Sequence, residues 1–134
     1  VKRDVDFVQV GALSDPPLDG CVDLRGRTTL RETAAILASS HVFIGLATGL
    51  VHMARAVGCR SVIVYGGRED PTRSGYSANE NLGWSGPCAP CWLRAQCDYE
   101  RRCMTAIEPD QVVGAALRQI ARFGTPLPTD RAVI

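Results

Sequence analysis

The sequence has no apolar run long enough to cross a bilayer, almost no lysine, and no surplus of charge of either sign. A helical membrane span needs about twenty consecutive apolar residues, and the longest runs here stop well short of that. A formal net charge of +1 over 134 residues removes the broad positive field that draws a protein to nucleic acid or to an anionic membrane. Of the fifteen basic residues only Lys2 is a lysine. The arginines suit forked recognition of phosphate and carboxylate, although such a bias also follows from genome base composition. An apolar leader is lacking too. The chain opens Val1-Lys2-Arg3-Asp4 with neither an initiator Met nor an apolar region after it, so the start is expected to be a cut within a longer protein. No internal repeat is visible.

What is present has globular proportions, with 46% hydrophobic and 22% charged residues. The length fits one domain, and residues 1–134 are read as a single unit. Residues 5–10 alternate loosely and end at Gly11, a strand followed by the Pro16-Pro17 loop; residues 21–24 form a second short strand. Thr29-Leu30-Arg31-Glu32 has the form of a capping box opening a helix that runs to about Ser39. Residues 41–45 read as a strand, residues 48–57 as a helix closed by Gly58, and residues 60–65, with their Val-Ile-Val centre, as a strand buried on both faces. From Arg68 to Ile107 the pattern dissolves into Gly, Pro, Ser, Asn and Cys, a functional loop or cross-linked knob rather than a passive connection. A last helix spans about 109–123, with Pro109 in its first turn and Val112, Val113, Ala116, Leu117 and Ile120 at helical spacing. Strands alternating with short helices imply right-handed crossovers and an α/β, Rossmann-like parallel sheet flanked by helices.

In such a sheet ligands gather at the carboxyl ends of the strands, where helix N-termini offer unpaired amides to anions. Two loops qualify. Gly45-Leu46-Ala47-Thr48-Gly49-Leu50-Val51-His52 joins a buried strand to a helix; Thr48 offers a hydroxyl, Gly49 permits close backbone approach, and His52 follows one turn later. Gly66-Gly67-Arg68-Glu69-Asp70-Pro71 leaves the end of the next strand. Each has a plainer reading: a turn glycine is ordinary, a lone helix histidine is commonly structural, and Arg68 and Arg73 are equally at home as solvated charges.

The series Asp23-Leu24-Arg25-Gly26-Arg27-Thr28-Thr29-Leu30-Arg31-Glu32, Thr48-Gly49-Leu50-Val51-His52-Met53-Ala54 and Tyr65-Gly66-Gly67-Arg68-Glu69-Asp70-Pro71 resembles, in order and approximate spacing, the C-terminal domain of the family 9 glycosyltransferases. That family includes the lipopolysaccharide heptosyltransferases. The resemblance covers the chain from Asp23 to about Arg122. It implies the C-terminal half of a GT-B architecture, in which the donor-binding domain faces an N-terminal Rossmann-like domain across a cleft. It further implies a nucleotide diphosphate sugar donor, an ADP-heptose-like molecule among the candidates, and a saccharide or lipid-linked acceptor of the cell envelope such as lipopolysaccharide core. Thr48, Gly49, His52, Gly66, Gly67 and Arg68 would form the donor site, while the catalytic base would lie in the N-terminal domain. No cofactor is required for transfer, and the setting implied is cytoplasmic, peripheral to the inner membrane. Two departures stand out: the acidic residue that precedes the Thr-Gly pair in the family is Ala47 here, and the domain's usual first strand and helix have no counterpart before Val5. With the acceptor site and catalytic base expected in the N-terminal domain, the isolated chain is expected to be inactive. The alternative is a noncatalytic sugar-nucleotide-binding or assembly module.

Within the Cys-rich loop, about 84–107, Cys88, Cys91, Cys97 and Cys103 are spaced C-x2-C-x5-C-x5-C. Four thiolates can close a structural zinc or iron site, with no open position for catalysis. Free thiols and disulfides remain alternatives, although crowding of four cysteines in one loop, with Cys21 and Cys59 apart, favours a reducing compartment. Trp84, Trp92 and Tyr99 flank the cluster, as packing for the knob or as a stacking surface for an acceptor.

Overall fold

Val62 and Ile63 are wholly inaccessible to solvent and sit side by side on one strand, so that strand must be covered on both faces, since successive side chains point to opposite sides. A computed structural model describes residues 5–92, 96–124 and 127 and shows how the covering is done. Its strands are β1 (Val8–Gln9), β2 (Val22–Asp23), β3 (Phe43–Leu46), β4 (Ser61–Gly66) and β5 (Glu80–Gly83). Its helices are α1 (Leu30–Ser39), α2 (Gly49–Ala56), α3 (Pro71–Ser74), α4 (Arg102–Thr105) and α5 (Pro109–Ala121). The chain divides into two compact units, Val1–Ile36 and Leu37–Ile134.

In the second unit β3, β4 and β5 form a parallel sheet in that order. Ile63 and Tyr65 point to one face and meet Val51 of α2. Val62 points to the other and meets Ala115 and Ala116 of α5. Each aliphatic side chain buried this way contributes about 1.5–3 kcal/mol, which is why a two-sided Val-Ile-Val strand organises the unit. A third cluster, Leu37, Ala54 and Cys59, closes the lower end of α2. Gln119 of α5 is fully buried yet satisfied, donating through Nε2 to Ala78 O at 2.8 Å and Ser61 O at 3.3 Å.

The first unit holds β1 and β2 in parallel register and most of α1. Its capping box forms as expected: Thr29 N donates to Glu32 Oε2 at 2.7 Å and Glu32 N to Thr29 Oγ1 at 3.3 Å. Arg25 is buried and forks onto Asp23, with Nη2 to Oδ2 at 2.8 Å and Nε to Oδ1 at 2.9 Å, while Nη1 donates to the carbonyl of Asp15. That bond to Arg25 holds the Asp23 carboxyl at about 2.

The α/β class and the parallel sheet agree with the sequence reading; the bounds shift. The strand expected at 41–45 is Phe43–Leu46 and the one at 60–65 is Ser61–Gly66. The strand expected at 5–10 shortens to Val8–Gln9 and that at 21–24 to Val22–Asp23, because ladder pairing between the two covers only two residues each. Gly58 takes φ +76 beyond the end of α2, the left-handed closure expected of it. The main correction lies between Arg68 and Ile107, which contains α3, β5 and α4 rather than loop alone. β5 reads Glu-Asn-Leu-Gly, with one apolar residue and no β-branched one, and is a strand because β4 supplies its pairing.

Candidate functional site

The exits of three strands share one edge of the sheet, since Leu46 pairs with Val64 and Gly83 with Gly66. β3 passes through Ala47 and Thr48 into α2. Thr48 is the N-cap in an extended conformation (φ −138°, ψ 179°), yet its side chain makes no capping hydrogen bond. The first amides of a helix have no acceptor within it, and here the cap hydroxyl does not supply one. Thr48 and Gly49 are both exposed, and a Cβ placed on Gly49 would meet nothing within 4 Å. The result is an open helix N-terminus with a free hydroxyl beside it, a combination suited to phosphate oxygens.

His52 lies one turn on and is exposed. Its Nδ1 is 2.8 Å from the hydroxyl of Tyr76, with the rings edge-on at 82°. The guanidinium of Arg55, three residues further along α2, stands 5.8 Å from the centre of the Tyr76 ring. Tyr76 comes from the segment after α3 and packs on the Val51–Ile63–Tyr65 cluster. The sequence points to His52 and to the loop from Arg68 to Tyr76 as a wall of the cleft, but not to the pairing of Tyr76 with His52, and it gives Arg55 no part. Helical spacing would have put Arg55 on the face of His52; nothing local announces Tyr76, twenty-four residues away. Ala47 packs on the same apolar cluster, so the position that is acidic in the family lies here against hydrophobic neighbours.

At the exit of β4 the glycines are buried. Gly66 has φ +59, and a Cβ there would collide with Met104 Sδ. A Cβ on Gly67 would lie 3.0 Å from Cys103 Cβ, 3.1 Å from Trp84 Cε3 and 3.3 Å from Ala89 Cβ. The backbone is gripped as well: Trp84 N donates to Gly66 O at 2.8 Å, Cys91 N to Gly67 O at 3.1 Å, and Trp92 N to Arg68 O at 3.0 Å. The Cys-rich segment thus sits on these glycines. Arg68 and Arg73 remain exposed, and Asp70 closes the turn between them by accepting from Thr72 N at 2.9 Å and Thr72 Oγ1 at 2.8 Å.

Cys88, Cys91, Cys97 and Cys103 line one small cavity of about 20 Å³ with Gly67 and Arg102. All four are free thiols, half-buried. Among the described residues no three His, Cys, Asp or Glu side chains are drawn into a ready metal-holding group, so the thiols surround a common void more loosely than a closed coordination shell. In kind the donors fit a thiophilic ion, and the void is of the order that holds one water or ion. Of the flanking aromatics, Trp84 packs on Gly67, whereas Trp92 and Tyr99 are each half exposed. Cys59 stands apart in the core, where burial pushes its thiol up to about 11, an inert packing residue.

A parallel sheet covered on both faces, with an open helix N-terminus at its carboxyl edge, defines an α/β protein of the Rossmann-like kind. Residues 10–101 match the model of glycosyltransferase family 9 (heptosyltransferase); the chain belongs to that family. Among solved structures it is similar to the bacterial iron-containing dodecameric glycosyltransferase TibC from enterotoxigenic E. coli H10407. The TM-score is 0.67 at 24% identity, over 81% of this chain and 32% of that one. The likeness is one of fold, and this chain spans about a third of the length of TibC. No curated protein matches the chain. No helix among the described residues is long and apolar enough to cross a membrane.

Proposed function

We propose that this chain is the donor-binding part of a glycosyltransferase that moves a sugar, heptose by the family's name, from a nucleotide diphosphate sugar to a cell-envelope saccharide such as lipopolysaccharide core. The observation that carries the reading is the open N-terminus of α2, with an uncommitted Thr48 hydroxyl, an unobstructed Gly49 and His52 one turn away. Transfer breaks the bond between the sugar and the diphosphate, and negative charge grows on the departing phosphate oxygen. Amides fixed at a helix end, with a hydroxyl and an imidazole beside them, stabilise that charge without reorganising. Arg68, exposed at the neighbouring strand exit, supplies a second positive wall. Gly66 and Gly67 act on this site through the loop they anchor. The acceptor and the catalytic base belong to an N-terminal Rossmann-like domain, and the enzyme works on the cytoplasmic side of the envelope. Calorimetry with ADP, UDP and GDP, on residues 1–134 and on a version extended at the N-terminus, tests the reading. One nucleotide should bind with an affinity that falls when Thr48 is replaced by Val; failure of all three with both proteins would remove the proposal.

The four cysteines are proposed as a structural metal site that staples the knob, with no part in transfer. TibC is described as iron-containing, which favours iron over zinc. Metal analysis of protein purified without added metal should give close to one iron per chain, lost in a Cys88→Ser, Cys91→Ser double variant; metal-free wild-type protein would leave the thiols as packing. A second reading, a noncatalytic sugar-nucleotide module, draws on Ala47, whose place in the apolar cluster leaves no acidic group before Thr48. An N-terminally extended enzyme that binds nucleotide but transfers no sugar would decide for it.

A further inference from the structure

We propose that Tyr76 is the positioning residue for His52: its hydroxyl donates to Nδ1, which fixes the single hydrogen of the neutral imidazole on Nε2 and makes His52 a hydrogen-bond donor toward an anion at the start of α2. The inference rests on the donor-site reading above for the identity of the anion, and on the Nδ1–hydroxyl contact, with the phenol taken as donor, for the tautomer. The pair is close, 2.8 Å from Nδ1 to the hydroxyl oxygen. Phenol is a good donor and a bare imidazole nitrogen a good acceptor, so the arrangement commits one ring nitrogen and leaves the other free.

Tyr76 is held in place before any ligand arrives. Its carbonyl accepts from Asn81 Nδ2 at 3.1 Å and from Asn79 N at 3.1 Å, and its ring packs on Val51, Ile63 and Tyr65. The His52 ring meets it edge-on at a centroid distance of 5.7 Å. The charged and titratable groups around the pair are Arg55 of α2, over the Tyr76 ring, and Tyr65 of β4, which feels both Tyr76 and Glu69. An exposed histidine held only by its own rotamer samples both tautomers and several ring orientations; one tied to a rigid tyrosine does not.

The test is NMR of 15N-labelled protein without ligand, read with ADP, UDP and GDP titrations. In the wild type the His52 nitrogen shifts should report the Nε2–H tautomer almost alone, and Tyr76→Phe, which keeps the packed ring, should give a mixture. The variant should also bind its nucleotide about fivefold more weakly, the loss expected when one fixed hydrogen-bond donor is no longer held toward the anion. A Tyr76→Phe spectrum with the same single tautomer as the wild type would mean that the hydroxyl does not set it and would overturn the inference, as would a wild-type spectrum showing hydrogen on Nδ1. If the tautomer behaves as expected and no nucleotide binds, the donor-site reading fails while the tyrosine's hold on His52 stands.

Discussion

Two neighbouring strand exits on the same edge of one sheet, both marked by glycine, have opposite fates. At the end of β3, Gly49 is exposed with nothing within 4 Å of where its Cβ would stand; at the end of β4, Gly66 and Gly67 are buried beneath Met104, Cys103, Trp84 and Ala89. One glycine faces open space, and the other two leave room for protein. A glycine where a strand ends marks close approach; only the identity of what approaches separates a ligand site from a packing site. The Cys-rich knob decides it here, because its amides bind the carbonyls of Gly66, Gly67 and Arg68 in succession.

That contrast makes glycine the first place to break it. Gly66→Ala should produce the largest effect, a loss of about 2–4 kcal/mol in urea unfolding, from overpacking against Met104 added to a left-handed backbone that disfavours a side chain. An unchanged midpoint would mean that the knob is not seated on the sheet. Next comes Ala47→Asp, which restores the acidic residue of the family. Because Ala47 packs on Val51, Ile63 and Tyr65, the carboxylate would meet an apolar surface, with an expected cost of about 1–3 kcal/mol and no gain in nucleotide affinity. A tighter-binding, equally stable variant would show instead that position 47 faces the ligand.

The sealed side also carries a smaller, pH-dependent contribution. Glu80 of β5 accepts from Arg118 Nε at 3.2 Å and Nη2 at 3.1 Å, with Arg122 at 3.8 Å. The Arg118 bond, and the charges of both arginines, hold the Glu80 carboxyl below its ordinary 4.5. A carboxyl lowered in the folded state adds stability that is complete above the unfolded value and disappears as pH falls through the folded one. The urea midpoint should therefore drop as pH falls below 4.5, less so in Arg118→Ala. Half-exposed arginine side chains make the effect modest and weaker in high salt.

The sequence shows most plainly what depends on strong local signals. The Val-Ile-Val strand, the Thr29–Glu32 box and the Pro109 helix start are all where their residues put them, because each rests on periodicity or capping within a few positions. The Thr48-Gly49-His52 junction was legible for the same reason. β5 was not, since its polar residues become a strand only by pairing with β4. Nor was the burial of Gly66 and Gly67, which is set by Cys103 and Met104 nearly forty residues along. Tyr76 was hidden likewise, its role with His52 existing only once α2 and the segment after α3 meet.

The smallest stability effect belongs to the open exit and is the sharpest test of it. Gly49→Ala adds a methyl group where no atom lies within 4 Å, at a first-turn position where alanine suits the helix better than glycine. Urea unfolding should move by no more than about 0.5 kcal/mol, in either direction. If a diphosphate rests against the amide of Gly49, the same methyl stands between them, and affinity for the nucleotide that binds should fall about tenfold, the equivalent of one weakened charged hydrogen bond. A silent change in stability with a clear loss of binding is the pattern of a surface kept free for a ligand. Loss of neither would mean that the space above Gly49 holds nothing, and the two strand exits would then differ in packing but not in purpose.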